Sequence, residues 1–156
     1  MRLVLITAVL TFVLDQVTKW VVVFWLDLQR LGEIDVIPPL VNFRMAWNYG
    51  VNFGLGASNS DTMRWILIAV ALGITVFVLV WIWRADVGWW AKFAAGLLVG
   101  GALGNVVDRV LYGAVADFLN MTCCGFENPY SFNVADIAIF AGAIGLALFA
   151  DGKKAA

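Results

Sequence analysis

Asp117 and Asp136 are the two residues of this sequence that packing explains least. In the stretch GAVADFLNMTCCGFENPYSFNVADI each follows an alanine at the edge of a strongly apolar run. Once Lys19 is assigned to Asp15 and Arg109 to Asp108, no cation close in sequence remains to neutralise either one. Two unpaired carboxylates facing one cavity resist double ionisation, so they share one proton and titrate as a coupled pair. Such a pair can hydrolyse an amide without a covalent intermediate: one carboxylate deprotonates a water while its protonated partner polarises the carbonyl. Acidic groups inside apolar spans also serve proton-coupled transport. Spacing alone leaves both readings open.

The composition says what surrounds them. Of 156 residues, 63% are hydrophobic and 13% charged, against about a quarter charged in soluble domains. This is the composition of a membrane protein. There is no histidine, which removes Ser-His-Asp and Cys-His nucleophilic schemes and histidine-based metal sites. Cys123 and Cys124 are adjacent and fit neither a spaced disulfide framework nor a Cys-x-x-Cys motif; they read as packing or loop residues. The net charge is −1 with scattered Lys and Arg, so a nucleic-acid partner is not expected.

Four apolar runs, 3–26, 65–83, 89–111 and 133–150, are each long enough to cross a hydrocarbon core of about 30 Å at about 1.5 Å per helical residue. The expected fold is all-α, a single membrane domain of four transmembrane helices. Residues 27–64, with Pro38, Pro39 and a Gly- and Asn-rich run, read as a small β-rich extracytoplasmic cap between helices 1 and 2, and 112–132 as an outer loop. The first run has Arg2 before it but no small-x-small cleavage site, so it is expected to remain as a span. Arg2, Arg84, Lys92, Lys153 and Lys154 fall on one side, which predicts cytoplasmic termini. Tryptophans gather near the span ends, as interfacial belts do.

Polar residues share helix faces. Asp15 and Lys19 are four apart; Asn105, Asp108 and Arg109 stand at i, i+3 and i+4; Asn133 and Asp136 are three apart in a first turn. With helix 3 ending and helix 4 beginning on the outer side, these groups and Asp117 converge near one membrane face. A charge at the bilayer centre costs at least about 2.5 kcal/mol, so each needs a partner or a purpose. Asp15 with Lys19, and Asp108 with Arg109, read first as structural pairs. Gly96, Gly100 and Gly104, and Ala138 with Gly142, recur every four residues as close-packing faces. A transporter would need acids reachable from both sides, and these gather at one. A Mg²⁺-dependent lipid phosphotransferase would need a denser Asp cluster, and Ser58, Ser60 and Ser131 have no lysine nearby for a Ser-Lys dyad.

DQVTK (15–19), WNYGVNFG (47–54), GGALGNVVDRVLYGAVADF (100–118) and FNVADIAI (132–139) occur in this order, and through them the chain resembles the lipoprotein signal peptidase family, the type II signal peptidases of bacteria, over nearly its whole length. The resemblance implies an aspartic endopeptidase of the inner membrane with its active site near the periplasmic face, working without metal or cofactor. It implies Asp117 and Asp136 as the catalytic pair, supported by Asp15, Lys19, Asn48, Asn105, Arg109 and Asn133, with Asp108 more structural. The implied substrate is a prolipoprotein whose lipobox cysteine carries diacylglyceryl, cut before that cysteine. Membrane lipid is the implied surrounding partner, and a monomer the expected working unit. Asn52 departs from the small residue usual before the Phe of NxGxxF, which bears on the cap's shape rather than on the pair.

Overall fold

The computed structural model describes residues 1–50, 61–122 and 128–150. Asn52, Ser58, Ser60, Cys123, Cys124, Lys153 and Lys154 lie outside them. The chain runs through α1 (Arg2–Lys19), which continues as a wider π-helical segment (Trp20–Trp25), then α2 (Leu28–Leu31), β1 (Glu33–Ile37), β2 (Val41–Asn48), α3 (Asp61–Arg84), α4 (Trp89–Tyr112), β3 (Val115–Met121) and α5 (Val134–Phe149). The result is a helical membrane-type fold with several apolar helices and one small antiparallel sheet. Among the described residues three segments, Arg2–Trp25, Asp61–Arg84 and Trp89–Tyr112, are long and apolar enough to cross a membrane. α5 is apolar but only 16 residues long.

α4 is the central helix, because its residues are small on two faces. Gly96, Gly100 and Gly104 face α1: a Cβ on Gly96 would stand 2.5 Å from the Thr7 Cβ, and one on Gly104 2.5 Å from the Asp15 Oδ2. The far side of α4 meets α5, where a Cβ on Gly142 would lie 2.7 Å from the Ala94 carbonyl oxygen. The predicted small-residue faces are therefore helix contacts, as van der Waals packing in lipid favours. α1 answers with Val4, Thr7, Ala8, Thr11, Asp15 and Lys19, its buried residues, which recur at helical spacing along one side. α3 joins this core through Val78 and Ile82 and leaves most of its circumference exposed. It starts at Asp61, earlier than the apolar run at Trp65, because hydropathy marks the lipid-soluble part of a helix and not its polar first turn.

The sheet has the order β1-β2-β3, and it corrects one expectation. Its third strand comes from within 112–132, the stretch read as an outer loop, so the β-structure is not confined to the segment between the first two long helices. β2 and β3 are far apart in sequence with no hairpin turn between them, and local signals do not report such a partner. Gly113 makes the turn possible: it adopts φ +81°, the left-handed conformation that ends helices with glycine, and its N–H donates to the Arg109 carbonyl at 3.1 Å. Val22, Val23, Leu28, Ala116 and Phe118 form a second core under the sheet. Phe43 packs edge-on against Phe118, with ring centroids 5.7 Å apart.

Candidate active site

Asp117 is positioned by strand register. It pairs with Ala46 across the β2–β3 ladder while Asn48 lies opposite Val115, so Asn48 and Asp117 are diagonal neighbours on one face. The Asn48 Nδ2 donates to Asp117 Oδ2 at 3.1 Å. A bulge between Phe43 and Ala46 sets this register. The strand is then clasped from the other edge: Phe118 and Leu119 N–H groups both donate to the Phe132 carbonyl at 3.0 and 2.8 Å. Asn120, fully buried, donates from Nδ2 to the carbonyls of Asn128 and Tyr130 at 2.8 and 2.9 Å. This brings Phe132 and the start of α5 alongside Asp117.

Asn133 then joins the two acids. It is the N-cap of α5, its Oδ1 accepting from the Asp136 N–H at 2.9 Å while its own N–H donates to Asp136 Oδ2 at 3.3 Å, a reciprocal capping box. Its Nδ2 donates to Asp117 Oδ1 at 2.6 Å. Asn105, from α4, donates to Asp136 Oδ1 at 3.0 Å and accepts from Asn133 and from Lys19. Among the described residues each carboxyl thus receives two neutral N–H donors and no direct ion pair. Asp117 and Asp136 both line one cavity of about 260 Å³ with Asn48, Ser131, Phe132, Ile137 and Phe140. Ile137 and Phe140 are exposed on the outer side of α5, so the cavity opens toward the apolar surface of the bundle.

Electrostatics at Asp117 follow from this setting. Burial first, and the Asp136 carboxylate second, push its carboxyl up from 3.8 to about 7, against the donors Asn48 and Asn133 and the charge of Lys19. A carboxyl in that range can hold or release a proton near neutrality, the property general acid–base catalysis requires.

A second polar cluster, joined to the pair through the Lys19–Asn105 hydrogen bond, buttresses it from beneath. Lys19 Nζ lies 2.8 Å from Asp15 Oδ2 and 2.7 Å from Asp108 Oδ2, and all three side chains are buried. Gln16 Nε2 bridges the two carboxylates at 3.1 and 3.0 Å. Asp15 Oδ1 accepts from the Ala135 N–H at 2.9 Å, anchoring the first turn of α5. Asp108 Oδ2 accepts from the Ala116 N–H at 3.1 Å, anchoring β3. The expected Asp108–Arg109 pair is not formed; adjacent helical residues point about 100° apart, and Lys19 takes the carboxylate instead. Arg109 donates to the Gly50 carbonyl at 2.8 Å and to the Asn105 carbonyl at 3.4 Å, tying the end of β2 to α4.

Residues 7–150 match the model of the family described as Signal peptidase (SPase) II. The chain belongs to the signal peptidase II family. It is 42% identical to a lipoprotein signal peptidase of Methylobacterium radiotolerans over 96% of this chain and 88% of that protein. A lipoprotein signal peptidase of Pseudomonas aeruginosa is 39% identical, covering 90% of this chain and 82% of the relative. Among solved structures, one described as a bacterial membrane enzyme superposes with a TM-score of 0.78 at 27% identity, covering 100% of this chain and 93% of that one. Nothing in these likenesses supports the transporter reading.

In this signal peptidase II chain nine residues read from the sequence as the site fall in one connected assembly: Asp117, Asp136 and Asn48 line the cavity, Asn105 and Asn133 bond to the two acids, and Asp15, Lys19, Asp108 and Arg109 lie behind them. Sequence reasoning assigned no role to Gln16 or Asn120 and weighed Ser131 only for a Ser-Lys dyad. Gln16 carried a signal, since an amide inside an apolar run needs a partner. Ser131 donates to the Arg44 carbonyl at 2.8 Å, an outcome of loop geometry that has no sequence mark. Among the described residues, no group of three His, Cys, Asp or Glu is arranged to hold a metal ion.

Proposed function

We propose that this chain is an aspartic endopeptidase that cuts diacylglyceryl-modified prolipoproteins before the lipidated cysteine, with Asp117 and Asp136 as the catalytic pair. The observation that carries the reading is that two carboxyls, with only neutral direct donors among the described residues, share one cavity that opens along α5. One carboxylate takes a proton from water as the oxygen attacks the scissile carbonyl carbon, and the other gives its proton to the carbonyl oxygen. Collapse of the resulting diol breaks the C–N bond, and the amide nitrogen leaves with a proton from the pair. Asn48, Asn105 and Asn133 hold the carboxyls in place. Asp15, Lys19, Asp108 and Arg109 hold the elements that carry them.

The chain is proposed to form one domain crossing the bacterial inner membrane four times, at about 3–26, 65–83, 89–111 and 133–150, with cytoplasmic termini and the pair near the periplasmic face. A lipidated signal segment already lies in the bilayer, and its scissile bond meets the acids at that depth. The exposed Ile137 and Phe140 form an apolar approach suited to acyl chains, while the sheet offers strand-like contacts to the peptide. The enzyme acts as a monomer, surrounded by lipid, without cofactor or nucleic acid. The test is a cleavage assay on lipidated precursor with parent, Asp117→Asn and Asp136→Asn. Both variants should insert, accumulate and fail to cleave; substantial turnover by either refutes the dyad, and loss of cleavage in EDTA refutes the metal-free chemistry.

A further inference from the structure

A second cavity, of about 270 Å³, lies at the opposite end of the bundle, lined by Met1, Trp83, Arg84, Asp86 and Lys92 among others. It is formed where α3 ends and α4 begins. From Lys92 to Tyr112 along α4 is about 30 Å at about 1.5 Å per residue, so this cavity and the aspartate cavity stand at different membrane faces. Its lining joins two basic side chains to one carboxylate, and Arg2, exposed, follows Met1 at the same end.

Depth gives this cavity its chemistry. Trp83 lines it; Trp83, Trp89 and Trp90, at the end of α3 and the start of α4, are all exposed, and Trp89 stacks on Trp90 with ring centroids 3.7 Å apart. Exposed tryptophans at the ends of apolar helices mark the headgroup level. Arg84 and Lys92 therefore present their charges where lipid phosphates lie, beside a recess rather than on a convex surface. Basic recesses between helices at that level suit anionic headgroups. The charge bias that orients a membrane protein requires only that cations be on this side; it does not require a cavity between them.

We propose that this recess binds the phosphate headgroup of an anionic phospholipid, with Arg84 and Lys92 as its ligands and Asp86 as an opposing charge. Binding there joins the start of α1, the end of α3 and the start of α4 through one ligand, at the end of the bundle remote from the aspartates.

The test uses the purified full chain in uncharged detergent, followed by thermal unfolding and by native mass spectrometry. Phosphatidylglycerol, phosphatidylcholine and inorganic phosphate are added in separate series to the parent, to Arg84→Gln with Lys92→Gln, and to Asp86→Asn. Phosphatidylglycerol should raise the parent Tm saturably and remain bound in the mass spectrum. Each cation near the lipid surface is worth about fivefold in affinity, so the double variant should need roughly thirty-fold more lipid. Asp86→Asn should bind more tightly than the parent. Should the double variant fail to accumulate, the single variants each show about a fivefold loss. An equal response to phosphatidylcholine, an equal response to inorganic phosphate, an unchanged response in the glutamine variants, or no response to phosphatidylglycerol each overturns the site.

Discussion

Raising the pH through neutrality should destabilise this protein by way of Asp117. Its carboxyl is held up at about 7 in the folded chain against 3.8 ordinarily, so between those values the unfolded chain ionises while the folded one keeps its proton. The unfolded state then binds fewer protons, and stability falls as pH rises. The contribution is fully present below about pH 4, is lost progressively up to about pH 7, and is flat beyond. Asp117 is 2% exposed, so solvent screening takes little from the effect. From pH 5 to pH 8 the loss integrates to about 2.5 kcal/mol, or roughly 5–10 °C in Tm for a chain of this size. The eight tryptophans make intrinsic fluorescence in detergent a direct readout. Asp117→Asn cannot ionise and should lose most of this slope. Its amide also sets an NH₂ group against one of the donors from Asn48 and Asn133, which costs about 1–3 kcal/mol at every pH. The comparison is therefore between slopes, not absolute Tm values. Equal pH slopes in parent and variant would refute the claim that Asp117 is buried beside a second carboxylate.

Lys19→Met should destabilise by about 3–5 kcal/mol in thermal unfolding, since it leaves Asp15 and Asp108 buried without their cation, and adding Asp108→Asn should restore part of the loss. Gly104→Ala should cost about 1–3 kcal/mol by overpacking against Asp15 and should lower precursor cleavage by displacing the carboxylate that anchors α5; an unchanged Tm would show that α1 gives way freely. Asn120→Ala removes two hydrogen bonds that hold the segment before α5 and should cost about 1–3 kcal/mol, with proteolytic nicking in 128–132 appearing before the bundle unfolds. Arg109→Lys cannot serve two carbonyls with a planar fork, and should lower cleavage more than it lowers Tm.

The helices were legible because lipid imposes a simple demand on sequence: a long apolar run must cover the hydrocarbon core, and the structure's three long apolar helices begin or end within a few residues of the runs read from hydropathy. The polar residues were legible for the complementary reason, as each buried charge or amide in such a run needs a partner. Asp15, Lys19, Asn105, Asp108 and Asp136 were marked by that cost, and Asp117 by the want of a cation close in sequence. Which partner each one takes was not legible. Nearness in sequence suggested Asp108 with Arg109, whereas Lys19 reaches Asp108 from another helix once Gly104 lets α1 and α4 approach. β3 was invisible for the same reason, since its pairing with β2 joins distant segments without a turn. The sequence by itself determined the solvent, the helical runs and the set of groups that could do chemistry, because these depend on local composition and period. Only the tertiary structure decided that Asn133 joins Asp117 to Asp136 and that Lys19 serves two carboxylates, because hydrogen-bond partners are chosen by distance in space.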